Sequence, residues 1–365
     1  MGNVPNLRFP EFSGKWKKCT LGDITINFNL RNKEKIELPM YSVTNNRGFI
    51  PQSEQFEDRD MVGEDIKAYK IIHNKDFAYN PARINVGSIA KYNGSKPCMI
   101  SSLYVCFKAA NGIDEDWLMH LLRSPKIQYY YNINGEGGVR IYLFYPNFAR
   151  IRTSFPTIAE QRKIANLLSL LDARITTQNK IIEKLQSLIK GLAVTLTTKG
   201  KPNTTISQCL ECHSSTLQES EVSPNGLYKV FGANGLVGYT DVPQMNGDSI
   251  LVIKDGSGVG TASYAQGKFS VIGTLNYLTV LGNNNLRYLY FALSVFNFQS
   301  YKTGMAIPHI YFKDYGNAKI YCPSLTEQKR VANMLDKMES KLFLEQELLA
   351  SFNSQKRYLL GQMFI

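Results

Sequence analysis

Long apolar runs are missing. In 365 residues no uninterrupted stretch approaches the ~18 residues that suggest a bilayer span. Cysteine is scarce: six in this length, with no apolar leader or small-residue cleavage site from Met1 to Arg8, read as reduced thiols of a cytoplasmic chain. Four histidines leave little material for a metal centre. Acidic residues are short as well, 30 Asp and Glu against 42 Lys and Arg, for a net charge of +12. A surface of that sign attracts polyanions, and nucleic acid is the usual one in a cytoplasm. The excess is uneven, since residues 1–200 hold 28 of the basic and 18 of the acidic residues. Any binding surface in the rest must lean on more than net charge. What is present is apolar and aromatic material, 44% and 12% of residues. It fills real cores, excludes a wholly disordered chain, and suits two or three domains.

A repeat organises the chain. Pro156 to Leu168, with Glu160, Gln161, Arg162 and Lys163 inside it, returns as Pro323 to Leu335, with Glu327, Gln328, Lys329 and Arg330. The offset of 167 residues holds without a gap to Leu196/Met363. Each copy reads as a long helix opened by a proline, with Thr157 or Ser324 as cap and a glutamate at capping-box spacing.

Along the first copy Ile164, Leu168, Leu171, Ile175, Gln178, Ile182, Leu185, Ile189, Leu192 and Leu196 step by alternating fours and threes. The second seam is Val331, Leu335, Met338, Leu342, Glu345, Leu349, Phe352, Lys356, Leu359 and Met363. Both have the period of a coiled-coil seam with a polar member at the same place, Gln178 and Glu345, read as a register device. A local surface kink is the bland alternative. At 1.5 Å per residue, roughly 38 residues make a rod of about 57 Å. A duplicated unit with two-fold symmetry would run the helices antiparallel and place the globular parts at opposite ends, a pseudo-two-fold dumbbell.

The globular parts, ending before the two prolines, share an outline. Short β-rich runs (Tyr41–Val43, Val86–Tyr92, Met99–Phe107; Leu227–Phe231, Ser249–Ile253, Thr274–Leu281) lead to a helix, Glu115–Arg123 or Asn285–Leu293. A glycine and a mixed segment follow (Gly138–Tyr145; Gly304–Lys313), then a strand reaching the proline. The polar stretch Gly200–Thr205 links the first helix to the second part. The expectation is α+β, one scaffold carrying two different loop sets.

Catalytic constellations are wanting. Cys209, Cys212 and His213 match the spacing of haem attachment, but that chemistry belongs to exported proteins; a zinc site needs further ligands, and buried thiols are the plain reading. Gly256, Gly258 and Gly260 lack the spacing and following helix of a phosphate loop, and read as a tight turn. Tyr79–Arg83 resembles a fragment of the Asn-Pro-Pro-aromatic motif of amino-methyltransferases, without its second proline or aromatic. Asp58/Asp60 and Asp114/Asp116 read as solvated faces. Recognition remains. Base edges are read by Arg, Lys, Asn, Gln, Ser or Thr held on loops, and cations neutralise phosphates. The candidates are Thr44, Asn45, Asn46, Arg47, Arg83, Lys91, Lys96 and Arg140 in the first part. In the second they are Asn234, Lys254, Ser257, Lys268, Lys302, His309 and Lys313.

The opening Leu7 to Trp16, the duplicated Pro-x-x-x-Glu-Gln pattern and the ending Tyr358 to Phe364 together resemble the specificity subunits of type I restriction-modification systems. The resemblance covers essentially the whole chain. It implies target recognition domains at 1–155 and 200–322 and conserved spacer helices at 156–199 and 323–365. Each domain would read half of a bipartite site on double-stranded DNA. The antiparallel coiled coil would dock two modification subunits. Those would carry S-adenosylmethionine and methylate adenine, and restriction subunits would add ATP- and Mg-dependent translocation and cleavage. The chain itself would hold no cofactor and catalyse nothing. A coiled-coil scaffold without DNA readout is the alternative, and an enzyme acting alone on nucleic acid a more distant one.

Overall fold

A computed structural model describes residues 4–54, 66–137 and 141–365. The chain forms two compact units, Met1–Gln178 with Leu348–Ile365, and Asn179–Glu347. These cut across the linear division above, because each contains a stretch of both long helices. The helices span Ile158–Thr197 and Leu325–Gln362. No helix among the described residues is long and apolar enough to cross a membrane.

In the first unit the main sheet is antiparallel, in the order Thr25–Phe28, Val105–Ala109, Phe77–Tyr79, Ile89–Lys91. Strand Phe77–Tyr79 is buried at every position, so it reads as a continuous apolar run rather than an alternating one. Phe77 stacks on Phe107 at 5.0 Å. Helix Glu115–Leu122 starts where the Asp114 carboxylate accepts from the Asp116 and Trp117 amides, a side-chain N-cap. It presses Trp117 edge-on against Trp16 at 6.3 Å. Ile164, Ala165 and Leu168 from the start of the first long helix join this core, as do Leu360, Met363 and Phe364 from the end of the chain. Asp172 pairs with Lys356. Within this unit the two helical stretches are antiparallel.

The second unit repeats the framework. Its main sheet runs Leu210–Ser214, Leu275–Val280, Ser249–Ile253, Ala262–Ala265, the same order by position in the chain. Val331, Ala332 and Leu335 share its core with Ala193, and Lys199 pairs with Glu327, again antiparallel. Each unit also joins its opening to the strand before the long helix, Lys17–Thr20 with Arg152–Phe155 and Thr204–Thr205 with Lys319–Ile320. They differ in what flanks the main sheet. Among the described residues the first unit has two separate strand pairs, Tyr41–Thr44 with Gly48–Pro51 and Lys70–Ile72 with Cys98–Ile100. The second has a four-stranded sheet, Gly235–Thr240, Tyr228–Gly232, Lys268–Val271, Met245–Asn246, one of whose pairings is parallel.

Several details depart from expectation. The run Met99–Phe107 is two strands, broken where the Tyr104 amide folds back on the Ser101 carbonyl at 3.2 Å. The run Val86–Tyr92 begins as a helical turn closed by left-handed Gly87 and becomes strand only at Ile89. Asn285 is the cap of its helix, accepting from the Tyr288 amide. Thr157 and Ser324 do accept from the Glu160 and Glu327 amides, at 3.5 and 3.4 Å. The glutamate carboxylates do not return the bond and serve elsewhere. All seam positions are buried or half-buried, Gln178 and Glu345 included.

Candidate nucleic-acid interface

In the first unit the hairpin Tyr41–Thr44/Gly48–Pro51 turns through Asn45, Asn46 and Arg47. The Thr44 hydroxyl accepts from the Arg47 amide at 3.2 Å and donates to the Gly48 carbonyl at 3.1 Å. Gly48 sits at φ +68°, a conformation that favours glycine. The turn is therefore fixed from within, and its three tip side chains stand exposed. A second loop is fixed beside it. The Asn80 carboxamide accepts from the Ala82 amide at 3.0 Å, and the Ser88 hydroxyl donates to the Val43 carbonyl at 2.8 Å. This holds Arg83 against the hairpin.

Thr44, Asn45, Asn46 and Arg83 thereby line one concavity of about 570 Å³, joined by Gln52, Asn80, Ser101 and Tyr104. Amides and a guanidinium on a pre-set backbone are the groups that bond base edges in pairs, Asn and Gln to adenine and Arg to guanine. Asn80 and Gln52 were missed in the sequence. Asn80 lies in the discarded Asn-Pro segment, and nothing local marks Gln52.

A neighbouring concavity of about 470 Å³ takes Arg47 and Lys91 with Asp116, His120, Arg123 and Asp172. Its cations are largely spoken for: Arg47 pairs with Glu54 at 2.6 Å and Lys91 with Asp116. Burial pushes the His120 imidazole down to about 4, with Asp172 opposing that shift and Lys356 adding to it. Lys96 is exposed and lines neither space. Arg140 lies outside the described residues, as does the Asp58/Asp60 pair.

In the second unit five candidates converge. The Ile310 amide bonds the Lys254 carbonyl at 3.0 Å, Gly256 bonds Pro308 at 2.9 Å, and Asp255 bridges His309. These links bring Lys254 and Ser257 beside Lys302, His309 and Lys313. Lys254 reaches Asp255 at 2.9 Å, and Lys313 lies 5.3 Å from the Tyr311 ring centre. Asn234 and Lys268 do not join them. They sit on the flanking sheet, Asn234 at the turn before Gly235 and Lys268 over the Tyr228 ring at 5.6 Å.

The Gly256–Gly260 segment is a turn leading to strand Ala262–Ala265, with Gly256 and Gly260 at positive φ. The haem-like triplet points apart. Cys209 faces Thr204 at 3.7 Å, while the His213 ring bonds Thr279 at 2.9 Å and stacks on Tyr277. Among the described residues no three His, Cys, Asp or Glu side chains are grouped to hold a metal.

Residues 209–353 match the family described as Type I restriction modification DNA specificity domain. The chain is 28% identical over 208 residues to the MjaX type I restriction enzyme specificity subunit of Methanocaldococcus jannaschii, covering 54% of this chain and 49% of that one. It is 25% identical over 114 residues to the EcoprrI type I restriction enzyme specificity subunit of Escherichia coli, covering 31% and 28%. The aligned part thus spans less than half the length of either relative. In fold the likeness runs throughout. The S subunit of a type I restriction-modification system from M. genitalium superposes with a TM-score of 0.67 at 16% identity, covering 99% of both chains. A chain solved in work on complex assembly and conformational transition of the type I R-M system gives 0.58 at 15%, covering 96% of this chain and 97% of that one. The chain thus matches the type I restriction modification DNA specificity domain over residues 209–353 and shares its overall fold with type I S subunits.

Proposed function

We propose that the chain is the DNA sequence-specificity subunit of a type I restriction-modification complex. Each unit reads one half of a bipartite double-stranded site. The two long helices connect the readers, set their spacing and dock two modification subunits, and restriction subunits complete the assembly. Methyl transfer and ATP-driven steps belong to those partners, with S-adenosylmethionine, ATP and Mg, and the chain itself acts by recognition in the cytoplasm.

One observation carries this reading: one sheet order is built twice, each copy leading into one of two long helices that repeat at a 167-residue offset, while the polar groups presented differ. The first unit offers an amide-rich concavity with one guanidinium, the second a cluster of lysines with a histidine. Equal scaffolds with unequal loops suit two half-sites of different sequence.

The test is exchange of residues 16–155 for the corresponding part of a related subunit, followed by mapping of methylated adenines in the host genome. One half of the recognised sequence should change and the other stay. Change in both halves or in neither overturns modular reading. DNA binding insensitive to salt and sequence would instead favour a scaffold, since phosphate contacts give a steep salt dependence.

A further inference from the structure

A small loop occurs at the same place in both units. In the first, Glu136 and Tyr142 exchange backbone hydrogen bonds of 2.8 and 2.7 Å; in the second, Thr303 and His309 do so at 2.9 and 2.8 Å. The offset is again 167, and each loop is entered on a glycine at positive φ, Gly137 at +110° and Gly304 at +85°. Only the second loop lies wholly within the described residues.

Its tip, Gly304 to Pro308, is pinned from several sides. The Pro308 carbonyl accepts from Gly256 at 2.9 Å, and the His309 ring lies 3.1 Å from the Ile307 carbonyl. A side chain at Gly304 would collide with that same carbonyl. On this fixed backbone Met305 is fully exposed and Ile307 two-thirds exposed. Two large apolar groups held out in water stand beside the cations Lys302 and Lys313 and the His309 ring, with Lys254 across the bridge.

We propose that Met305 and Ile307 form a wedge that enters the base stack of duplex DNA in the half-site met by the second unit, a proposal that rests on the DNA-reading function above. Proteins that part a base step with an apolar wedge also bind the duplex through basic side chains on its phosphates, and Lys302 and Lys313 flank this loop. The pinned tip has little conformational freedom to lose on binding. A protein partner fits less well. Two side chains fall far short of the ~1,200–2,000 Å² of a stable protein interface, and the surrounding charge suits a polyanion. The wedge would explain how a unit from the less basic part of the sequence grips DNA.

The test begins by enriching duplexes from a randomised pool with the full chain, alone and in its assembled complex. The enriched duplex is then made with 2-aminopurine at successive purines, a base whose fluorescence rises when it unstacks. Binding of the unaltered chain should raise the signal at one step of one half-site. The Met305→Ser/Ile307→Ser variant should lose that rise and bind about tenfold more weakly, with preference in the other half-site unchanged; Met305→Leu should retain both. Selective binding with no rise at any position overturns the wedge and leaves DNA reading intact. A rise that survives in the double variant also overturns it. If no duplex is enriched, the reading of the chain as a DNA-specificity subunit fails, and the wedge with it.

Discussion

At the scale of single residues, the two copies of the repeated glutamate have parted. Glu160 is 1% exposed and accepts from the Arg8 guanidinium at 2.7 Å twice and from the Trp16 indole at 3.2 Å. Its equivalent Glu327 stays near the surface with Arg330 and Lys199, which hold its carboxyl down to about 2. A buried carboxylate stripped of its cation is strongly destabilising. Arg8→Ala should therefore cost the first unit about 3–5 kcal/mol, while Arg330→Ala leaves the second unit nearly unchanged. Urea unfolding followed by tryptophan fluorescence reads the first effect cleanly, because both tryptophans, Trp16 and Trp117, lie in the first unit's core; an unshifted midpoint refutes it. His120 gives a pH signature. Its buried imidazole titrates near 4 instead of 6.5, so the unfolded chain binds the proton first as pH falls. Stability should drop between about 6.5 and about 4, and His120→Gln should flatten that part of the slope. The glutamate pair was legible only as a capping signal. Its partner Arg8, 152 residues away, is set by tertiary packing that local spacing does not encode.

Among elements, the long helices were the most legible, since a seam sustained over ten positions leaves one periodicity open. They came out at 40 and 38 residues. Short strands were less so. Phe77–Tyr79 and Ile89–Lys91 are three residues each, too brief for alternation to show, and hydroxyl-rich turns such as Ser101 cut apolar runs. Leu168 and Leu335 occupy the same repeat position, and both are fully buried, each in its own unit's core. Trimming either to alanine should cost about 2–5 kcal/mol. Leu168→Ala should shift the tryptophan transition; Leu335→Ala should leave it in place and lower only a transition seen by circular dichroism. A tryptophan shift from Leu335→Ala would mean that the helices melt as one body.

Over the whole molecule, duplication was legible because the helical repeat keeps one offset from Pro156/Pro323 to Leu196/Met363, and the candidate site was half legible. Turn chemistry marked Thr44 to Arg47, and composition marked the lysines of the second unit. Which candidates stand together was not visible: Asn234 and Lys268 belong to a flanking sheet that the first unit does not share, and Gln52 enters its concavity through the fold alone.

The first unit is discontinuous, taking Leu348–Ile365 to complete itself, with Phe364 lying 6.0 Å from the Trp117 ring. A ribosome delivers those residues only after all of Asn179–Glu347. The unit at the beginning of the message therefore cannot close its core before translation has run through the globular part of the second unit, and a nonsense mutation just before Leu348 would strike the earlier unit harder than the later one.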